Sequence, residues 1–474
     1  MKLQLNRYQD NLWRYANLFP EDYYNLGWSA RLSANLKVDL FAKAFNYVVH
    51  TVELMHSVLL GDAKSGFYFE ETDENQSVFE VISCSFDECQ QDMERFTKRP
   101  FDLSHEWPIR ARLYHLSDDS FILLIVFHHI CIDGVTGLDF FSMLESVYNQ
   151  LDADGNYPNL EIPSWEDSIH RMENGQRALS LIDLNNWRKT LSNEPLELFF
   201  PDVNNSTSYT VNFEMFELGE SLMSRINHIA RQNGVTAFIV ILAAWMIVLS
   251  RFTGRKGIFV ENSINMRTTK SKNLVGFFVN NIPLSVDFSN LVMVKDVFSV
   301  LAQQWKTLRT LRHYTWPELL SFLKRENPLN DLGRVNVGIN FAGWSNSFNL
   351  SLSNVDCRFF RRLDHSSSLD LFLDVEPTKT GFSRINYHPI FSIEQIQMLI
   401  ESLRTVLEVF VSDIERPLSS ISMMPEEKQK QIMQSYENKL DSLPSVKESI
   451  NDRFERLAAL NPNKIAIVNV KIIP

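Results

Sequence analysis

Apolar positions along this chain follow two periods, and their order predicts the elements. FILLIVF, residues 121–127, is apolar at every position, as a strand buried on both faces requires. The turn residues Asp133-Gly134 come shortly after it, and then Leu138, Phe141, Leu144, Tyr148 and Leu151 recur every three or four positions. That spacing predicts a helix beginning near Thr136 or Gly137 with one face in the core. Before FILLIVF, residues 25–33 (NLGWSARLS) read as a strand, residues 38–59 as a helix, and residues 66–83 and 106–127 as strands, with GFYFEE the clearest of the rest. Residues 152–168 are polar and turn-rich and predict a surface connection, followed by a polar helix over 169–191 that leads to PLELFFPDV.

From Tyr209 the plan repeats: a strand (YTVNFEMFEL), a helix over 219–232, an apolar helix, then strands in GIFVENSI and FFVNNIPLSV. A helix over 295–311 and strands in RVNVGINFAG and LDLFLDVEP complete this half. The apolar helix, VTAFIVILAAWMIVLS at 235–250, is shorter than the ~20 residues a bilayer span needs. Asn233-Gly234 before it and Arg251 after it punctuate a helix, so a buried core helix, not a membrane span, is expected. Residues 425–447 are charged and carry no apolar face long enough for a core. INDRFERLAALNPNKIAIVNV then reads as a short helix and a strand cut off by the chain end.

Composition narrows the classes. A chain of 474 residues exceeds one ordinary core and predicts roughly two to three domains. The 34 phenylalanines imply large buried cores or an apolar tunnel. A net charge of −12, with no basic patch interleaved with aromatics, excludes broad nucleic-acid affinity. The four cysteines, Cys84, Cys89, Cys131 and Cys357, have no paired spacing, so neither a metal site nor a disulfide framework is expected, and a reducing cytoplasm fits. The opening MKLQLNRYQDNLW has no apolar signal core.

The stretch FHHICIDGVTG carries the candidate chemistry. If FILLIVF stays extended to its end, alternation places His129 on the face of Leu123, Ile125 and Phe127, and His128 on the opposite face. Only one of the two can then reach a shared site, and periodicity does not say which. Cys131 inside the motif reads as a small buried apolar residue.

With two similar halves and HHICIDG in the first, the chain resembles the condensation domains of nonribosomal peptide synthetases, whose hallmark is HHxxxDG. Tyr8-Gln9 with Leu12-Trp13 looks like the family's opening element, and SWEDS with Asn186-Trp187-Arg188 and PLELFFPDV resembles its segment joining two lobes. VGFFVNNIPL is similar to GxFVNT, residues 313–318 to a late proline-containing motif, and residues 449–468 to the first helix and strand of an adenylation domain. The early element RHExLRT departs: residues 51–57 keep Glu53 but neither arginine.

The resemblance implies an α/β (α+β sandwich) fold of two chloramphenicol-acetyltransferase-like lobes in a V, residues 1–178 and 179–424, with the active site at their junction and 425–474 as linker and truncated adenylation start. It implies an acyltransferase of antibiotic and other secondary-metabolite biosynthesis, in which the amine of one carrier-bound thioester attacks a donor acyl thioester. His129 would act on the amine, as base or positioning group, and a backbone N–H at Gly134 would support the oxyanion. His128 would be structural. Asp133 would either orient His129 as in a triad or, as the family favours, pair with Arg267 to hold the loop; Asn340 matches a polar position facing the cleft. No cofactor need bind tightly, because 4'-phosphopantetheine arrives on donor and acceptor carrier proteins, or the donor is a coenzyme A thioester. An adjoining adenylation domain would be a further partner. An elongating domain that joins two carrier-bound amino acids is the first reading; because the family's opening element lies within ten residues of Met1, a starter domain acylating the first amino acid comes close behind it. An inactive recruitment scaffold, an epimerase and a stand-alone coenzyme A acyltransferase are the other readings. The intact motif, the FVNN element and the adenylation-like tail weigh against them.

Overall fold

The computed structural model describes all residues except 19–23, 63, 73–75, 174–180, 192–193, 202–210, 268–273, 327–333, 342–349, 364–368, 442–448, 461 and 463–474. FILLIVF forms the middle strand, Phe121–His128, of a five-stranded sheet. The order across that sheet is Cys357–Leu363, Asn25–Leu32, Phe121–His128, Ile109–His115 and Phe79–Ser83. Both faces of the middle strand are covered, which is why it tolerates no polar residue. Leu123, Ile125 and Phe127 join a core with helices Val38–Thr51 and Gly134–Asp154, while Ile122, Leu124 and Val126 join a smaller one under helix Phe86–Lys98. The residue 136–151 face enters the core much as expected, with Phe140 and Val147 added and Leu138 only partly buried.

A second, six-stranded mixed sheet runs Val279–Asp287, Gly257–Asn265, Val337–Phe341, Leu371–Val375, Phe382–Tyr387, Asn212–Glu217. Its core is organised on the helix Ala237–Thr253, in which every residue from Phe238 to Leu249 is buried. Thr236 caps its start and Gly254, at φ 69°, ends it in the left-handed conformation. Among the described residues no single helix is long and apolar enough to cross a membrane. The two halves are not independent along the chain. Strand Cys357–Leu363 pairs antiparallel with Asn25–Leu32, and Met266, Leu274, Phe277 and Phe278 pack in the first core.

Several expected boundaries shift. The helix expected over 38–59 ends at Thr51; a 3-10 turn, Glu53–His56, and a strand, Ser57–Asp62, follow. Leu54, Met55, Val58 and Leu59 are buried in the same core as the helix, so apolar spacing continues while the backbone changes. The surface connection ends early: a helix starts at Trp165, whose ring is buried against Phe278; of the expected polar helix, Trp165–Glu173 and Leu181–Thr190 are helical, and residues 174–180 lie outside the described residues. The helices Phe86–Lys98, Trp316–Glu326 and Ile393–Ser412 and the strands Cys357–Leu363 and Phe382–Tyr387 are additional to those expected. Residues 1–423 form one compact unit and residues 424–474 another. The second holds helices Glu426–Asp441 and Ile450–Leu460; the strand expected in KIAIVNV lies outside the described residues.

Candidate active site

The middle strand leaves the sheet at His128, and His129–Cys131 forms a single 3-10 turn. The expected alternation therefore stops one residue short of His129, whose direction is set by the turn and not by the strand pleat. The main-chain N–H of His129 donates to the carbonyl of Tyr24, 2.8 Å away.

His128 is enclosed. It is 5% exposed, its Nδ1 accepts the Ile130 N–H at 3.2 Å, and the rings of Trp13, Tyr24 and Phe101 stand around it. Burial first, then the neighbouring His129 and Arg110, pushes its pKa down to about 3, so it is neutral at neutral pH. Arg110 is itself buried, stacked 3.9 Å from the Phe101 ring centre and donating to the Phe96 carbonyl. Cys131 is buried, with its thiol held by the His128 carbonyl at 3.1 Å, and burial raises its pKa.

His129 lines a cavity of about 410 Å³ together with Gly134, Ser263, Val279, Asn340 and Asp374. Its Nδ1 lies 2.6 Å from the Ile132 carbonyl oxygen. A carbonyl only accepts, so Nδ1 carries a proton and the lone pair of the neutral ring is on Nε2. The ring meets Phe277 edge to face, with centres 5.0 Å apart. Gly134 opens helix Gly134–Asp154, so its N–H belongs to the first turn, where backbone donors lack intrahelical partners.

Asp133 caps that helix from a fully buried position. Oδ1 accepts the Thr136 N–H at 2.9 Å, and Oδ2 accepts from Arg267 Nη1 at 2.6 Å and from the Phe278 N–H at 2.8 Å. The imidazole Nδ1 of His129 donates to Ile132 and not to this carboxylate. Thr136 Oγ1 extends the network, donating to the Gly276 carbonyl and accepting from Arg267 Nη2 and the Gly276 N–H. The guanidinium also donates to the Leu274 carbonyl and lies 4.7 Å from the Phe278 ring centre. HHICIDG and VGFFVNN, distant in the chain, are thus locked by one buried ion pair. Gly276 is required for this: at φ +144° a Cβ would stand 2.5 Å from Trp165 Cζ3.

Asn340 faces the cavity from strand Val337–Phe341 and donates to Asp374 Oδ1 at 3.1 Å. Asn280 points elsewhere, donating to the Arg312 and Tyr314 carbonyls. Among the described residues no group of histidines, cysteines and carboxylates could hold a metal ion.

Sequence reasoning passed over Asn6 and Arg110, and it named Gln9 and Glu53 as motif residues without giving either a role. Asn6 donates to the Phe277 carbonyl, and Gln9, fully buried, donates to the Ile130 carbonyl at 2.8 Å. The opening element thereby braces both motif segments, and a polar residue just before a helix was the available signal. Arg110 under His128 gave no signal, because a strand arginine ordinarily faces solvent. Glu53 accepts the Trp165 N–H, which gives the retained glutamate of residues 51–57 a local capping role.

A family model described as "Condensation domain" matches residues 2–433. The chain is 26% identical over 393 residues to chondramide synthase cmdD of Chondromyces crocatus, covering 80% of this chain and 10% of that protein. It is 26% identical over 420 residues to gramicidin S synthase 2 of Brevibacillus brevis, covering 84% and 9%. The chain thus spans about a tenth of the length of these relatives. Among solved structures, the X-domain in complex with OxyB from teicoplanin biosynthesis matches with TM-score 0.77 at 18% identity over 90% of this chain and 96% of that one. A variant of the starter condensation domain of rhizomide synthetase in complex with C8-CoA matches with TM-score 0.73 at 17% over 89% and 98%. The first condensation domain of the calcium-dependent antibiotic synthetase, in complex with a substrate analogue, matches with TM-score 0.71 at 17% over 89% and 99%.

Proposed function

Since the chain belongs to the condensation-domain family, we propose that it is an amide-forming acyltransferase of nonribosomal peptide synthesis with His129 as its catalytic residue. The amine nitrogen of an acceptor thioester attacks the carbonyl carbon of the donor thioester; the C–N bond forms, the C–S bond breaks, and amide and free thiol result. Nε2 of His129 takes the proton the nitrogen must lose and returns one to the departing sulfur. The Gly134 N–H, in the first turn of its helix, faces the oxyanion. Asp133 and Arg267 act as positioning residues, and Asn340 contacts substrate from the opposite wall. Residues 1–178 and 179–424 correspond to the two lobes and 425–474 to a linker and the start of an adenylation domain. Carrier proteins deliver both substrates on 4'-phosphopantetheine, in the cytoplasm.

The observation that carries this reading is the imidazole of His129 on the cavity wall, its tautomer set by the Ile132 carbonyl. An intact-mass assay tests it. An acceptor carrier protein loaded with an amino acid is offered either a second loaded carrier or an acyl-coenzyme A, beside the His129→Ala variant. A mass gain with one donor, lost in the variant, is expected and separates elongation from a starter role. No gain with either donor, or a gain the variant keeps, overturns the reading.

A further inference from the structure

A second cavity, of about 370 Å³, adjoins the His129 site and is built differently. Val279 lines both, and Phe277, whose ring is perpendicular to that of His129, lines this cavity. Its wall is aromatic: Tyr8 and Tyr15 from helix Arg7–Leu18, Tyr24, Phe277, and Trp316 from helix Trp316–Glu326. Into this wall strand Gly257–Asn265 sets one carboxylate, Glu261. Among the described residues Glu261 has neither an ion pair nor a hydrogen bond to its side chain. Arg334, the one cation among the described residues lining the cavity, is engaged elsewhere, by Asp370 at 2.6 Å and Glu197 at 3.3 Å.

Two more acceptors there lack partners. The Tyr8 hydroxyl and Asn281 Oδ1 are both buried without a hydrogen bond among the described residues, and both residues line this cavity. An ammonium group has three N–H donors and no acceptor, and its charge is attracted by aromatic faces. One carboxylate, two further oxygens and a surround of rings form the complement of that group.

Geometry ties the cavity to the reaction. Along strand Gly257–Asn265, Glu261, Ser263 and Asn265 alternate onto one face, and Ser263 and Asn265 line the His129 cavity. Two strand positions separate Glu261 from Ser263 by ~7 Å, a gap an extended diamino-acid side chain spans. We propose that Glu261, within the aromatic cage of Tyr8, Tyr15, Tyr24 and Trp316, selects a substrate bearing a second, side-chain ammonium group. This rests on the reading of the chain as a condensation domain and names the class of substrate that domain takes.

Burial pushes the Glu261 carboxyl up to about 7, with no charged neighbour among the described residues to offset it. The other ionisable groups lining the cavity are Tyr8, Tyr15, Tyr24 and Arg334. Recognition of a cation therefore strengthens as pH rises through 7, while the ligand ammonium stays protonated.

The test is binding to the full chain of N-acetylcysteamine thioesters of lysine and of norleucine by calorimetry at pH 6 and 8.5. Each is used with a free α-amine, as an acceptor, and with an acetylated one, as a donor. At pH 8.5 the lysyl probe binds at least tenfold tighter than the norleucyl probe in one of the two forms, which assigns the ammonium to acceptor or donor. The preference shrinks at pH 6, is lost in Glu261→Gln and partly kept in Glu261→Asp, which preserves the charge. Equal binding of lysyl and norleucyl probes in both forms, or a lysyl preference that Glu261→Gln leaves intact, overturns the proposal. His129→Ala separates the two inferences. If lysyl selectivity persists in that variant while the wild type transfers no acyl group, the cage stands and the reaction assignment falls. Transfer by the wild type without lysyl selectivity gives the converse.

Discussion

His128 and His129 are chemically identical and one bond apart, and their surroundings give them different work. His128 ends a buried strand among three aromatic rings and cannot be protonated at neutral pH. His129 sits on the next turn, open to a cavity. His129→Ala is expected to lower kcat by about 10²–10⁴-fold, the range of a general base, while the urea midpoint moves little. Single-turnover kinetics beside a denaturation curve checks this. Asp133 is the opposite case, since both its oxygens are committed to structure. Asp133→Asn leaves the Arg267 guanidinium, 5% exposed, without its counter-charge. A loss of ~3–5 kcal/mol follows, read in urea unfolding. A drop in activity with unchanged stability would instead assign Asp133 to the chemistry.

At the scale of elements, the legible parts were those whose signal is local. FILLIVF announced a strand covered on both faces and VTAFIVILAAWMIVLS a helix buried all round, because burial leaves its mark on every residue. Helix Ile393–Ser412 was equally legible. Ser392 and Gln395 form a capping box, and Ile396, Leu399, Leu403, Val406 and Phe410 keep a three-four spacing, although the element is absent from the expectation. Strand Cys357–Leu363 was not legible, because CRFFRRL shows no alternation and its partner, Asn25–Leu32, lies more than 300 residues away. The site divides in the same way. HHICIDG and Arg267 were visible as motif residues, whereas nothing in the strand GIFVENSI singles out Glu261, whose setting comes from residues distant in the chain. The element with the least freedom is the crossing at Gly276. Gly276→Ala forces a Cβ against Trp165 at a φ that disfavours it, and a loss of ~1–3 kcal/mol is expected. Thermal unfolding measures it, and Gly276→Ala with an unchanged Tm would mean that the Trp165 ring gives way freely.

For the whole molecule, the buried His128 and the partly buried Glu261 pull the pH dependence of stability in opposite directions. His128 has a folded pKa of about 3 against an ordinary 6.5, so between those values the unfolded chain binds a proton the folded chain refuses. Stability therefore falls as pH drops below 6.5, by ~1.4 kcal/mol per unit from this residue. Glu261 has a folded pKa of about 7 against 4.5. Between those values the folded chain holds the extra proton, so stability falls as pH rises from 4.5 and levels off above 7. Water reaching Glu261 from the cavity reduces that contribution to ~1–2 kcal/mol. The two effects overlap between 4.5 and 6.5, where they oppose each other and the profile is shallower than the His128 limb alone would make it. His128→Asn, which keeps an oxygen to accept the Ile130 N–H, removes the acid limb, and Glu261→Gln raises the curve above pH 7 without changing it at pH 4.5. Urea unfolding of both variants from pH 4 to 9 reads these limbs separately. If Glu261→Gln raised stability equally at pH 4.5 and pH 8, the carboxylate would not be the buried charge that the cage requires, and the assignment of the aromatic cavity to an ammonium substrate would lose its electrostatic basis.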